Sequence, residues 1–230
     1  MIKVASYNIR KAIGNDRLRR PERIIDVLCE LDADVIALQE ADRRFGTRQT
    51  AIPPDLLHAR SRYRFVPLGL REGSVGWHGN AVLVRDGVDV LTHAHVPLPT
   101  LEPRGAVIVE LRLAGTRYRV VGMHLDLSGI RRRRQARAII TAVDARRPMP
   151  TVLMGDLNEW TRKGGCLRDF GDHFLFAPTG PSFHAQQPIA RLDRIMVNPA
   201  LQVIGCGVHA SPKARRASDH LPIWARLQQA

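Results

Sequence analysis

Apolar positions along the chain recur in two rhythms. Residues 24, 25, 28 and 31 carry the spacing of one helix face, and Pro21 stands where a first helical turn tolerates proline, so 20–31 is predicted helical. Ala136, Ile139, Ile140 and Val143 form the apolar stripe of a second helix across 129–146. Short, largely apolar runs read as strands at 1–6, 34–38, 63–68, 79–85 and 88–96, and again at 150–154, 192–197, 201–209 and 222–227. Residues 105–113 and 117–123, joined by AGT, read as a β-hairpin. Strands outnumber helices, so sheets must pack on one another. No Gly/Ser linker, low-complexity segment or sequence repeat interrupts the pattern, and 230 residues suit one domain spanning 1–230.

Polar residues gather where the strands end. MGDLNEW follows the apolar run TVLM and sets Asp156 and Asn158 two positions apart, so both side chains leave the strand in the same direction. The opening strand runs into Tyr7 and Asn8. DVIALQE ends at Glu40, RVVGMHLD carries His124 near its end, RLDRIMV carries Asp193, and Asp219 and His220 precede the last strand. A single Asp or Asn at a strand end is an ordinary turn residue. Six such endings point to one shared site.

The motifs SYN, LQE, GNAVLVR, GMHLD, GDLN, RLDRI and SDHLP run in order from residue 6 to residue 222. With them the chain resembles the endonuclease/exonuclease/phosphatase superfamily, metal-dependent phosphoesterases that include pancreatic-type deoxyribonuclease, AP endonucleases, sphingomyelinases and inositol-phosphate phosphatases. The resemblance implies an α/β fold, a four-layer sandwich of two packed mixed β-sheets flanked by helices. It implies Mg²⁺ (or Mn²⁺) held by Glu40, with Asn8 beside it and Asp219 as a second carboxylate, since these hard cations prefer oxygen ligands and keep several waters. Asp156 then orients or deprotonates the attacking water, and Asn158 fixes the phosphate. His220 donates to a non-bridging oxygen, with Asp193 on its other ring nitrogen. An alternative makes the His220–Asp193 pair the general base. His124 is a phosphate donor or the acid for the leaving oxygen.

Charge adds a second theme. The chain carries 35 Lys+Arg and a formal net charge of +13, which predicts attraction to polyanions: nucleic acid or an anionic membrane surface. The densest run is IRRRRQARA, 130–138. Arg215 and Arg216 precede Asp219 and His220 and are candidates to grip a charged substrate at the rim. Arg104 either clamps phosphate bidentately or pairs with Glu102 or Glu110. Asp126 reads as the start of the connection into the 129–146 helix. His58, His78, His93, His95, His173, His184 and His209 match no motif, and 45–62 and 186–188 read as rim loops.

Three dispersed cysteines without CxxC suggest neither a disulfide framework nor a zinc site. No apolar run is long enough to cross a membrane, and the N-terminus lacks a signal peptide's layout, so a cytoplasmic protein is expected. The leading reading is a metal-dependent phosphodiesterase acting on a small or lipid-linked phosphodiester. GMHLD, and Arg10 in place of a second acid after Asn8, depart from the AP-endonuclease pattern. A nuclease acting on DNA or RNA is the alternative, with Trp77 and Trp160 as possible base-stacking groups. A non-catalytic, Arg-rich nucleic-acid-binding module is the reading from another class, and the complete polar set speaks against it.

Overall fold

A computed structural model describes residues 1–43, 49–99 and 104–230. Glu102 and part of the 45–62 segment lie outside the described residues. In chain order the elements are β1 (Ile2–Asn8), α1 (Pro21–Leu31), β2 (Val35–Gln39), α2 (Pro54–Arg60), β3 (Tyr63–Phe65), β4 (Ala81–Arg85), β5 (Asp89–Val96), β6 (Gly105–Leu113), β7 (Thr116–His124), α3 (Gly129–Asp144), β8 (Thr151–Asp156), α4 (Cys166–Gly171), β9 (Leu175–Phe176), β10 (Asp193–Val197), β11 (Leu201–Val208), α5 (Pro212–Ala217) and β12 (Ile223–Gln229).

Two six-stranded sheets face each other, in the orders β11-β12-β1-β2-β4-β3 and β5-β6-β7-β8-β10-β9. Both are mixed. In each, one parallel pair, β1–β2 or β7–β8, is flanked on either side by antiparallel strands. Each parallel pair is joined through a helix, α1 or α3. The chain therefore repeats its topology where no sequence repeat is legible, because a layer tolerates many apolar residues provided their period is kept.

Alternation along the strands builds three cores. Val35, Ala37, Val82, Val120, Val152, Met154 and Ile195 meet between the sheets. Their neighbours Ile36, Leu38 and Leu83 face α1, where Ile24, Ile25, Leu28 and Leu31 cover them. On the far side, Val121, Leu153 and Met196 pack under Ala136, Ile139, Ile140 and Val143 of α3 and Phe170 of α4. The result is the four-layer α/β sandwich expected from the sequence, with sheets buried on both faces.

Several expectations change in detail. The strand expected at 63–68 stops at Phe65, and the 45–62 segment contains α2, opened by Pro54 at its first turn. The short helices α4 and α5 were not foreseen, since six residues are too few for a helical period to stand out. The hairpin turn is the two residues Ala114 and Gly115, both at positive φ, as a tight primed turn requires. No helix among the described residues is long and apolar enough to cross a membrane.

One glycine is demanded by close approach. A Cβ on Gly155, in the GDLN motif, would lie 1.9 Å from the Met123 carbonyl oxygen on the neighbouring strand. Gly155→Ala is expected to destabilise by about 1–3 kcal/mol through forced displacement of packed backbone. Thermal unfolding checks this: the midpoint should fall by about 2–4 °C per kcal/mol for a chain of this size, and an unchanged midpoint would refute it.

Candidate active site

The carboxyl ends of the parallel strands converge, the position at which α/β sheets place their ligands. Asn8 ends β1, Glu40 follows β2, His124 ends β7 and Asp156 ends β8. Strand register then aligns three side chains in a row: His124 opposite Asp156, and Asp156 opposite Asp193. Asn8 reaches this row from the other sheet.

One oxygen is the meeting point. Asp156 Oδ2 accepts from Asn8 Nδ2 at 3.0 Å and lies 3.4 Å from His124 Nε2 and 3.8 Å from His220 Nε2. Asp156 is only 1% exposed, so this carboxylate is compensated almost wholly by protein groups. Its other oxygen, Oδ1, accepts from the Asn158 backbone N–H at 2.9 Å, and the Asn158 side chain donates to the Leu125 carbonyl at 2.9 Å.

His220 bridges the two facing carboxylates. Its Nδ1 lies 2.9 Å from Asp193 Oδ2, which also accepts from the buried hydroxyl of Ser182. Burial opposes charge on this ring. The Asp193 carboxylate, helped by Asp156 and Asp219, outweighs that cost and raises the pKa from the ordinary 6.5 to about 10. His220 is therefore an imidazolium at neutral pH, packed against the Phe183 ring at 4.8 Å between centroids.

A cavity of about 220 Å³ opens beside this group, lined by Glu40, Asp42, Trp77, His78, Arg104 and His124 among others. The Arg104 guanidinium sits against the His124 imidazole, with Nη1 2.8 Å from Nδ1. Glu110, the partner the sequence offered Arg104, is instead paired with Arg119 at 2.8 Å. Lys11 places its ammonium on the Glu40 carboxylate. That carboxylate thus already accommodates a positive charge, which is what a cation ligand there must do. Asp156, Asp193 and His220 also bring donor atoms within 4.8 Å of one another, and Asp193 Oδ1 is buried without a hydrogen bond. A cation there would have to displace the proton that the carboxylates favour on His220, whereas Glu40 offers a carboxylate at the cavity.

Not every expected residue joins. Asp219 pairs with Arg10 Nε at 3.3 Å and is not part of the Glu40 cavity lining. Arg215 donates to the Ala185 and Gln186 carbonyls at 2.9 and 3.3 Å, and Arg216 pairs with Asp16 at 3.7 Å. Both hold the rim together rather than lining the cavity. The arginine run is similarly engaged: Arg132 pairs with Glu159, and Arg133 and Arg137 pair with Asp169. Asp126 opens the connection into α3, accepting from the Ser128 N–H at 2.9 Å.

Sequence reading missed Lys11, Asp42 and Ser182, and set aside His78. Lys11 and His78, like Arg10, Glu40 and Asn158, hold positive φ without being glycine, which their residue types do not announce. Such conformations cost of order 1–3 kcal/mol each and cluster at functional sites. Trp77, which was noted, stacks on His95 at 4.5 Å and walls the cavity.

Known structures share this architecture. An endonuclease/exonuclease/phosphatase from Beutenbergia cavernae DSM 12333 is similar at TM-score 0.77 and 25% identity, over 100% of this chain and 72% of that one. A mannosyl-6-phosphatase of Bacteroides thetaiotaomicron VPI-5482 gives 0.76 and 20%, over 99% and 100%. D. rerio TDP2 complexed with single strand DNA product gives 0.73 and 17%, over 99% and 99%. The last two likenesses are of fold alone. No curated protein matches the chain significantly. The family model for the Endonuclease/Exonuclease/phosphatase family matches residues 5–220, and with the motif residues gathered at the strand ends, this chain belongs to that family.

Proposed function

We propose that this chain is a divalent-cation-dependent phosphoester hydrolase that cleaves a small phosphodiester by in-line attack of water. The observation that carries the reading is the buried Asp156 carboxylate with Asn8, His124 and His220 converging on one of its oxygens. In this reading Asp156 orients the water and takes its proton. His220, already protonated, is the wrong form for a general base at neutral pH. It serves as a charged donor to the phosphoryl oxygens, held by Asp193. Arg104 and His124 supply further donors from the cavity wall.

Glu40, which directly follows the β2 residue paired with Asn8, is the residue that would hold Mg²⁺ or Mn²⁺. A bound cation would polarise the phosphoryl oxygen and offset its developing charge. The cavity volume of about 220 Å³ supports a small head group, since sites for drug-sized ligands run to about 300–1,000 Å³.

A nuclease is the second reading. It is favoured by the +13 net charge and by Trp160, which stands 63% exposed two residues past Asn158. The charge is equally suited to an anionic membrane carrying a lipid-linked diester. A non-catalytic binding module would have no use for a buried, charge-compensated carboxylate group beside a cation-accepting glutamate.

Hydrolysis of bis(p-nitrophenyl) phosphate and nicking of supercoiled plasmid, each with Mg²⁺ and with EDTA, separate these readings. EDTA should abolish turnover, and Asp156→Asn and His220→Ala should each lower kcat by at least about 10²-fold, the scale of proton-transfer and charge-stabilising groups. Full activity in both variants would sink the site assignment. Nicking without diester hydrolysis would make the second reading correct.

The protonation assignment has its own check. By NMR, His220 should remain imidazolium from pH 6 to 8 and titrate near 10; Asp193→Asn should shift that titration downward. A folded-state pKa raised above 6.5 means that the stability it contributes is complete below 6.5 and is lost as pH rises through about 10. Titration of the wild-type ring near 6.5 would return the general-base role to the His220–Asp193 pair.

A further inference from the structure

A cluster of positive charge lies toward the helix layer of the second sheet. There Arg162, Lys163, Arg191 and Arg194 line a cavity of about 560 Å³, with Leu167 and Phe176 contributing apolar wall. No Asp or Glu lines it. The α3 arginines nearby in the fold are paired with Glu159 and Asp169. Among the described residues, none of the four cavity cations has a carboxylate within ion-pair distance.

The chain brings these cations together by the same devices that build the catalytic group. Asp193 and Arg194 are consecutive on β10, so alternation sends the carboxylate toward the site and the guanidinium toward the helix layer. Arg162 and Lys163 follow Asn158 and Trp160 in the loop leaving β8. Arg194 is only 8% exposed, and its one hydrogen bond runs to the Asp193 backbone carbonyl at 3.1 Å. Burial, with Arg191 adding repulsion, holds its pKa below the ordinary arginine value despite the Asp193 carboxylate. A buried guanidinium that shares a cavity lining with three further cations, and has no carboxylate within ion-pair distance, is an arrangement that an anion would relieve.

We infer that this cavity binds an organic phosphate ester, its phosphate on Arg162, Lys163, Arg191 and Arg194 and its apolar or ring-shaped body against Leu167 and Phe176. Arginine forks suit phosphate oxygens bidentately, and the volume falls within the range of about 300–1,000 Å³ typical of small-molecule sites. The phosphate belongs either to a free small ester or to a distant part of a longer substrate whose reacting group sits across the sheet. The inference is independent of which phosphoester is hydrolysed.

Isothermal titration calorimetry on the Asp156→Asn protein, with adenosine 5′-monophosphate and with inorganic phosphate, tests it without reading turnover. Arg162, Lys163 and Arg191 are exposed, so replacing them leaves the core intact. Arg162→Ala with Arg191→Ala should weaken adenosine 5′-monophosphate at least tenfold, while Arg117→Ala with Arg134→Ala, which removes the same charge elsewhere, should change it less than twofold. Inorganic phosphate should bind more weakly, having no body to place on the apolar wall. Displacement of the nucleotide by hexathymidylate would identify the occupant as part of a strand, and no displacement as a free ester; the inference stands in both cases. It is overturned if the cavity variant binds as tightly as its parent, or if the control variant loses as much.

Discussion

Two carboxylates stand directly opposite each other in the β8–β10 ladder, both removed from water. Like charges so placed repel, and each loses its hydration. The arrangement holds because an imidazolium lies between them, Nδ1 on Asp193 and Nε2 toward Asp156. Much else depends on that bridge. His220 arrives from the segment before β12, Ser182 from the loop before β10, Asn8 from the other sheet. The electrostatics of one buried pair therefore tie together parts of the chain that are far apart in sequence.

The same pair sets the chemical character of the group. Carboxylates on both sides of a histidine favour its protonated, hydrogen-bond-donating form. Beside them the cavity lining carries both signs, Glu40 and Asp42 together with Lys11, Arg71, Arg104 and His124. Such a mixed lining suits a phosphoester accompanied by a cation, since each charge then meets its opposite.

The arginines divide by partner. Arg119 and Arg132 are buried and bonded to Glu110 and Glu159, and Arg133 and Arg137 lock α3 to α4 through Asp169. Arg215 bonds to backbone carbonyls at the rim. These are structural uses. Arg162, Lys163, Arg191 and Arg194, without a carboxylate within ion-pair distance, line the cavity beside β9 and β10.

The period-2 runs, the α1 and α3 stripes and the polar strand ends were legible because each is local: alternation assigns a face, and a strand end fixes where its side chain emerges. Family, layers and most of the gathered residues follow from that. The short helices were not legible, nor was the repeat of topology, because neither leaves a period in the sequence. The roles within the site belonged to tertiary structure. Sequence offered Glu110 to Arg104, and only strand pairing gave it to Arg119 and brought Arg104 against His124. Lys11 and Asp42 acquire their places from contacts across 29 and 32 residues, Lys11 also from left-handed backbone, and Ser182 from its bond to Asp193 across the loop before β10. The charge state of His220 was likewise open until burial and three surrounding carboxylates were brought to one ring, because a pKa responds to distance and solvent rather than to neighbours in sequence.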